Sequence, residues 1–143
     1  MKKLILGGFL FLAGCGSGGS GNSAVNSTPV LDPPTILNLQ ISPQSATLNE
    51  GGTHVLVSGT VTITDPEFSN TRYLYVKSLD PNGNIIQSIK NILEGGGIVA
   101  NTKAQIQINM PTTTRGNLSI LVYLENPASA LTSNFLTTPF PIN

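Results

Sequence analysis

Apolar and polar residues alternate along most of this 143-residue chain, starting near Ile36. The apolar positions of the clearest segments are Leu37, Leu39 and Ile41; Val55, Val57, Val61 and Ile63; Leu74 and Val76; Ile106, Ile108 and Met110; and Leu118, Ile120, Val122 and Leu124. Because successive side chains of a strand point to opposite faces, a period of two predicts β-strands with one buried face. Threonine, valine and isoleucine are abundant in these segments, as strands prefer.

The segments between the predicted strands carry turn residues. Residues 80–84 read DPNGN, in which proline presets φ and Asn-Gly tolerates positive φ. This turn is predicted to join the Leu74 strand to a strand at residues 85–89 as a hairpin. Further breaks lie at residues 49–52, 94–97 and 111–116. No amphipathic helix of three turns is found, so the pattern predicts an all-β domain, a β-sandwich of about seven strands.

The first fourteen residues follow a different pattern. Lys2 and Lys3 precede an apolar run at residues 4–13, which is shorter than the ~20 residues that span a bilayer. A positive start, a short apolar middle and small residues before a cut are typical of a secretory signal. A buried core helix is the alternative, but Gly7 and Gly8 weaken it.

Leu12-Ala13-Gly14-Cys15 resembles the lipobox of bacterial lipoproteins. The resemblance implies that the Cys15 thiol receives a diacylglyceryl group, that the signal is cut before Cys15, and that the new amino group is acylated. Such a chain is anchored to the lipid bilayer of the cell envelope. Gly16, rather than aspartate, follows the cysteine, which implies the outer membrane where two membranes exist. The alternative is an ordinary signal peptide that leaves an unpaired thiol in an oxidising compartment.

These features predict three regions: a signal peptide at 1–14, a lipidated N-terminus and linker at 15–35, and a sandwich domain at 36–143. The linker is rich in glycine and serine, and Pro29, Pro33 and Pro34 stiffen its end. A flexible coil of about 14–18 residues reaches roughly 20 Å from its attachment point.

Residues 36–143 also resemble bacterial immunoglobulin-like or fibronectin-III-like modules. The similar stretches are ILNLQISPQSATLNEGG, VSGTVTITDP, LYVKSLDPNGN and GNLSILVYLEN, followed by a late SNF. The Cys–Trp–Cys core of antibody domains is absent from this sequence, and Leu118 stands where such modules often carry a corner tyrosine. The resemblance implies an immunoglobulin-like sandwich with a structural or adhesive role.

The composition argues against nucleic-acid binding, zinc binding and triad catalysis. Loss of Lys2 and Lys3 leaves a slightly acidic mature chain without a basic patch, which disfavours nucleic-acid binding. His54 is the only histidine, too few for a zinc site and an unsupported member of a catalytic triad. We therefore expect a non-catalytic, monomeric domain without a cofactor. An accessory subunit of an envelope assembly or enzyme is an alternative.

Asp65 and Glu67 lie two residues apart in the segment TDPEFSN. Their carboxylates are candidate ligands for calcium. The alternative is that the same residues form a simple turn.

The tyrosines offer a stronger candidate. If Leu74, Val76, Leu118, Ile120 and Val122 face the core of neighbouring strands, then Tyr73, Tyr75, Leu121 and Tyr123 face outward together. This group contains all three tyrosines of the chain, and tyrosine suits contact with glycans or envelope proteins. The alternative is cross-strand packing that only stabilises the sheet.

Overall fold

The computed structural model describes residues 32–68, 70–96 and 99–143. The predicted signal peptide, Cys15 and most of the linker lie outside the described residues. Within those ranges the chain forms eight β-strands: β1 (Thr35–Ser42), β2 (His54–Asp65), β3 (Arg72–Leu79), β4 (Ile85–Leu93), β5 (Val99–Pro111), β6 (Gly116–Asn126), β7 (Leu131–Thr132) and β8 (Leu136–Ile142). No helix in this part of the chain is long and apolar enough to cross a membrane.

The strands form two antiparallel sheets. The smaller sheet has the order β1-β2-β5, and the larger has the order β4-β3-β6, with β7 and β8 both pairing with the far side of β6. Strands β2 and β5 thus lie in one sheet while β3 and β6 lie in the other. This division matches an immunoglobulin-like sandwich in which the fourth strand has joined the sheet of the third. The predicted fold class is confirmed.

The two sheets enclose one apolar core. Val57 from the smaller sheet and Val122 from the larger are almost fully buried, as the alternation predicted. Outside β1, the core side chains of each strand also keep to one parity, with Phe140 and Ile142 of β8 closing one side. The core therefore fixes which face of each strand meets solvent, because side chains alternate along a strand.

The predicted face of β1 is wrong at Leu37, which is half exposed, whereas Ile36 is buried. The register of β1 on β2 shifts between Leu37 and Gln40, and Asn38 adopts a φ of 54°. This bulge adds a residue to β1 and reverses its alternation, so that Ile36 and Ile41 both face the core although they differ in parity.

The predicted hairpin between β3 and β4 is present, and Asp80 organises its turn. One carboxylate oxygen of Asp80 accepts the backbone N–H groups of Asn82 and Asn84, and the other accepts the Asn84 side-chain amide, all at 2.8 Å. These donors stabilise the charged carboxylate and lower the pKa of Asp80; the Asn84 amide contributes most. Gly83 follows with a φ of 84°, which the sequence Asn-Gly permits.

Strand β8 has no counterpart in the sequence prediction, because Pro139 and Pro141 interrupt its pattern. Both prolines are tolerated since β8 forms a continuous ladder only with β6, and its other side makes only an isolated bridge to Ala46 at the C-terminal end. The Pro141 carbonyl points away from β6 and accepts the backbone N–H of Ala46 at 3.1 Å. Alternation along the strand therefore places the missing N–H groups of both prolines on the outer edge.

Candidate binding face

The outer face of the larger sheet carries the predicted tyrosines together with side chains that the sequence interpretation missed. We call this surface the aromatic face and define it by Tyr73, Tyr75, Lys77, Lys90, Ile92, Leu121, Tyr123, Glu125 and Phe135. Strands β3 and β6 are paired so that Tyr75 lies directly opposite Tyr123, and Lys77 opposite Leu121. The three tyrosines and Leu121 are partly exposed, as expected from their parity.

The four rings of the aromatic face form a continuous row across the sheet. Tyr75 and Tyr123 are stacked, with ring centroids 4.8 Å apart and planes 16° from parallel. Tyr73 meets Tyr75 edge to face at 6.4 Å, and Phe135 lies tilted against Tyr123 at 5.0 Å. These distances are those of favourable aromatic pairs. The prediction that Tyr75 and Tyr123 lie together on the outer face is confirmed.

Two lysines hold their ammonium groups over this row. Lys77 Nζ lies 4.9 Å from the ring centroid of Tyr123 and 5.5 Å from that of Tyr75. Lys90 Nζ lies 4.3 Å from the ring centroid of Tyr73. All three distances are within the ~6 Å range of cation–π attraction, so the positive charges have defined positions on the aromatic face.

Glu125 lies on the same face, directly opposite Tyr73 in the register. Partial burial raises the pKa of Tyr75, and the nearby Glu125 carboxylate raises it further through its charge and a side-chain hydrogen bond. The Tyr75 hydroxyl is therefore the hydrogen-bond donor and the Glu125 carboxylate is the acceptor, since an ionised carboxylate only accepts.

Apolar side chains end the aromatic face on both sides. Phe135 and Ile92 are each 58% exposed, and Ile92 pairs with Tyr73 across β3 and β4. The parity of Lys77 with the tyrosines could have identified it from sequence. Phe135 gave no such signal, because it lies between β7 and β8 and outside any alternating segment.

The stacked rings and the lysines decide which groups of the aromatic face are accessible. Tyr75 and Tyr123 cover one face of each other's ring, and Lys77 lies over both. A ligand would therefore meet ring edges, hydroxyls, ammonium groups and the exposed Phe135 ring. Such amphipathic groups are enriched where proteins meet partners or interfaces.

The calcium hypothesis is not supported at Asp65. This side chain is buried, and its carboxylate contacts Arg72 Nε at 2.6 Å and accepts the backbone N–H of Glu67 at 2.9 Å. Asp65 therefore balances a buried guanidinium instead of facing a solvent-filled loop. In the described ranges, no group of three or more His, Cys, Asp or Glu side chains is placed to hold a metal ion.

His54 is exposed at the start of β2, where its Nδ1 lies 2.8 Å from the Thr53 hydroxyl. Its parity is opposite to that of the buried Val57, which places the His54 ring on the outer face.

A groove of about 780 Å³ runs between the edges of β1 and β8. Gln40, Gln105, Ser58 and Thr60 contribute polar groups, and none of the residues that line the groove is ionisable. The groove offers hydrogen bonds but no acid–base pair.

No family model matches this sequence, and no curated protein matches it. Among solved structures, the chain is similar to the PKD domain of an M14-like peptidase from a Thermoplasmatales archaeon, with 15% identity, 78% of this chain and 97% of that chain covered, and a TM-score of 0.49. The CARDB domain of a Pyrococcus furiosus protein has 12% identity, coverages of 79% and 91%, and a TM-score of 0.46. A β-glucuronidase from Bacteroides uniformis has 13% identity and a TM-score of 0.49, and the match covers 78% of this chain and 13% of that chain.

Similarity at this level extends no further than the fold. The two sheets and the strand order define the described part of the chain as an immunoglobulin-like β-sandwich.

Proposed function

We propose that this chain is a membrane-anchored, non-catalytic lipoprotein of the bacterial envelope, whose immunoglobulin-like domain has a structural or adhesive role. The observation that carries the proposal is the order of its parts. The lipobox-like Leu12-Ala13-Gly14-Cys15 is followed by a Gly/Ser-rich linker and one sandwich. Two or three acyl chains on Cys15 would suffice as an anchor, because one chain alone binds only marginally.

Replacement of the cysteine tests the anchor. Cys15→Ser removes the thiol, so incorporation of a palmitate analogue should fall to background and the signal should stay uncleaved. Ser17→Ala is a matched control that leaves the cysteine in place and should be labelled normally. Label retained in Cys15→Ser would contradict the proposal.

Sorting tests the location. Gly16→Asp should move the protein from the outer to the inner membrane in a bacterium with two membranes. Fractionation of the unchanged protein into the inner membrane alone would count against outer-membrane sorting.

The aromatic face supports a second function, contact with an envelope glycan or protein. Its ordered rings and lysines form a surface that solvent reaches on the outer side of the sheet. Replacing Tyr75 and Tyr123 together with serine should reduce binding to purified envelope polysaccharide, while Leu56→Ser on the other sheet should not. Unchanged binding in the double variant would leave the tyrosines with a stabilising role only.

A further inference from the structure

We propose that the aromatic face lies against the membrane surface to which the chain is anchored. The proposal rests on the anchor proposed above and goes beyond it: the sandwich is not merely suspended from the bilayer but docks on lipid headgroups through one defined side.

The linker enters the domain beside a residue that adjoins the aromatic face. The Asn134 side chain accepts the backbone N–H of Ile36 and donates to its carbonyl, both at 2.9 Å. The next residue, Phe135, is the exposed ring at one end of the aromatic face. The described chain begins at residue 32, and four residues span at most about 14 Å. The linker therefore joins the domain close to this end of the aromatic face.

The side chains of the aromatic face have the chemistry of a membrane–water interface. Tyrosine is enriched at membrane–water interfaces, where an apolar ring and a polar tip are both satisfied. The exposed Phe135 and Ile92 can enter the boundary between headgroups and acyl chains, as the apolar side chains of interfacial proteins do. Lys77 and Lys90 have stems long enough to lie along apolar groups while their ammonium groups meet phosphates.

The aromatic face carries a net positive charge. Lys77 and Lys90 outweigh Glu125 on the aromatic face, whereas acidic residues outnumber basic ones over the described residues as a whole. An anionic leaflet attracts lysines near its surface and therefore favours this face. Glu94 follows β4 and is exposed, so the same surface disfavours contact through the β4–β5 loop and orients the domain.

Other occupants fit less well. A second copy of the chain would bring the same lysines against each other. A sugar chain that stacks on rings would find Tyr75 and Tyr123 already stacked together and covered by Lys77. The linker also holds the domain within roughly 20 Å of the bilayer, which raises the effective concentration of headgroups over that of any soluble ligand.

The experiment uses the full lipidated chain extracted from membranes and added to preformed vesicles. One vesicle set contains phosphatidylethanolamine and phosphatidylglycerol, and the other contains phosphatidylcholine alone. A water-soluble amine-acylating reagent is applied, and mass spectrometry measures the labelling rates of Lys77 and Lys90. Lys103 is the internal control, because it is exposed on the other sheet.

Relative to Lys103, we expect Lys77 and Lys90 to react at least about fivefold more slowly on anionic vesicles, the fold-change equivalent to ~1 kcal/mol per lysine. Phe135→Ser should abolish this protection. Leu56→Ser removes a comparably exposed side chain from the other sheet and should leave the protection of Lys77 and Lys90 unchanged. Equal rates on both vesicle sets, or full protection in Phe135→Ser, would overturn the proposal.

Two further outcomes separate the alternatives. Protection by soluble alginate but not by vesicles would overturn membrane docking in favour of an acidic glycan. The intact mass of the protein reports acylation independently, so an unacylated Cys15 refutes the anchor alone. Flotation of that unacylated chain with anionic vesicles would then support membrane docking. Failure of the chain to float would overturn the docking proposal.

Discussion

Arg72 shows how a single residue closes a loop of the domain. Its guanidinium is buried and contacts Asp65 at 2.6 Å, while Nη2 donates to the Glu67 carbonyl and Nη1 to the Asn70 carbonyl at 2.6 and 3.1 Å. These bonds draw the β2–β3 connection around one side chain. The Asp65 carboxylate is thereby paired with a buried cation. The sequence alone could not reveal this pairing, because nothing in the local pattern marks Arg72 as a buried residue.

Asp65→Asn should therefore be strongly destabilising. It leaves the Arg72 charge buried without a counter-ion, a change that typically costs about 3–5 kcal/mol. Denaturant-induced unfolding measures the loss. The double variant Asp65→Asn with Arg72→Met removes both charges and should recover much of it. A loss below about 1 kcal/mol in the single variant would show that water reaches the guanidinium.

Tyr75 provides a second test at this scale. Because partial burial and Glu125 raise its pKa, Tyr75 should ionise above the usual value of about 10. The tyrosinate absorbance, compared between the unchanged protein and Tyr75→Phe, isolates its titration. Glu125→Gln should lower the pKa, whereas Glu94→Gln should not. Since the pKa is raised in the folded state, the associated stability is complete below the unfolded value and is lost as pH rises through the folded one.

At the scale of the element, β1 and β2 approach each other closely at Gly59. A Cβ on this glycine would collide with the Gln40 carbonyl oxygen and press on the Ile41 side chain. The bulge between Leu37 and Gln40 lies next to this contact. The inward-facing position 59 of β2 is thus glycine because the neighbouring strand β1 leaves no space for a side chain there.

Gly59→Ala should consequently destabilise the domain by about 1–3 kcal/mol, the usual cost of overpacking. Gly96→Ala is the matched control, since a Cβ there meets no atom within 4 Å. Thermal unfolding of the two variants gives the comparison. Equal stability of both would mean that β1 can shift away from β2 without loss.

At the scale of the whole molecule, the two sheets contribute to one core and should be similarly sensitive. Val57→Ala and Val122→Ala should each cost about 1–3 kcal/mol, because each removes buried methyl groups and leaves a cavity. Leu56→Ala, half exposed beside Val57, should change stability little. Neutral effects at both valines would contradict the assignment of inner and outer faces.

The sequence predicts a strand and its buried face where apolar and polar residues alternate without interruption. Alternation identified the buried faces of β2, β3, β5 and β6, and therefore placed Tyr75 and Tyr123 together. It failed at the bulge of β1, where one inserted residue reverses the parity, and at β8, where prolines hide a strand. Phe135 belongs to the aromatic face through tertiary packing alone, so no local pattern could reveal it.

The prolines of β8 have a consequence for chains crowded together on a surface. A sheet grows into a filament only if strands can be added at both of its edges. On the larger sheet, the outer edge of β8 lacks donors at Pro139 and Pro141, and Ala46 already bonds to its C-terminal end, while β4 has no strand on its other side. Two copies can join through β4 about a two-fold axis, and a third then finds no edge to extend. Strand addition to the larger sheet is accordingly open at the β4 edge and blocked at the β8 edge.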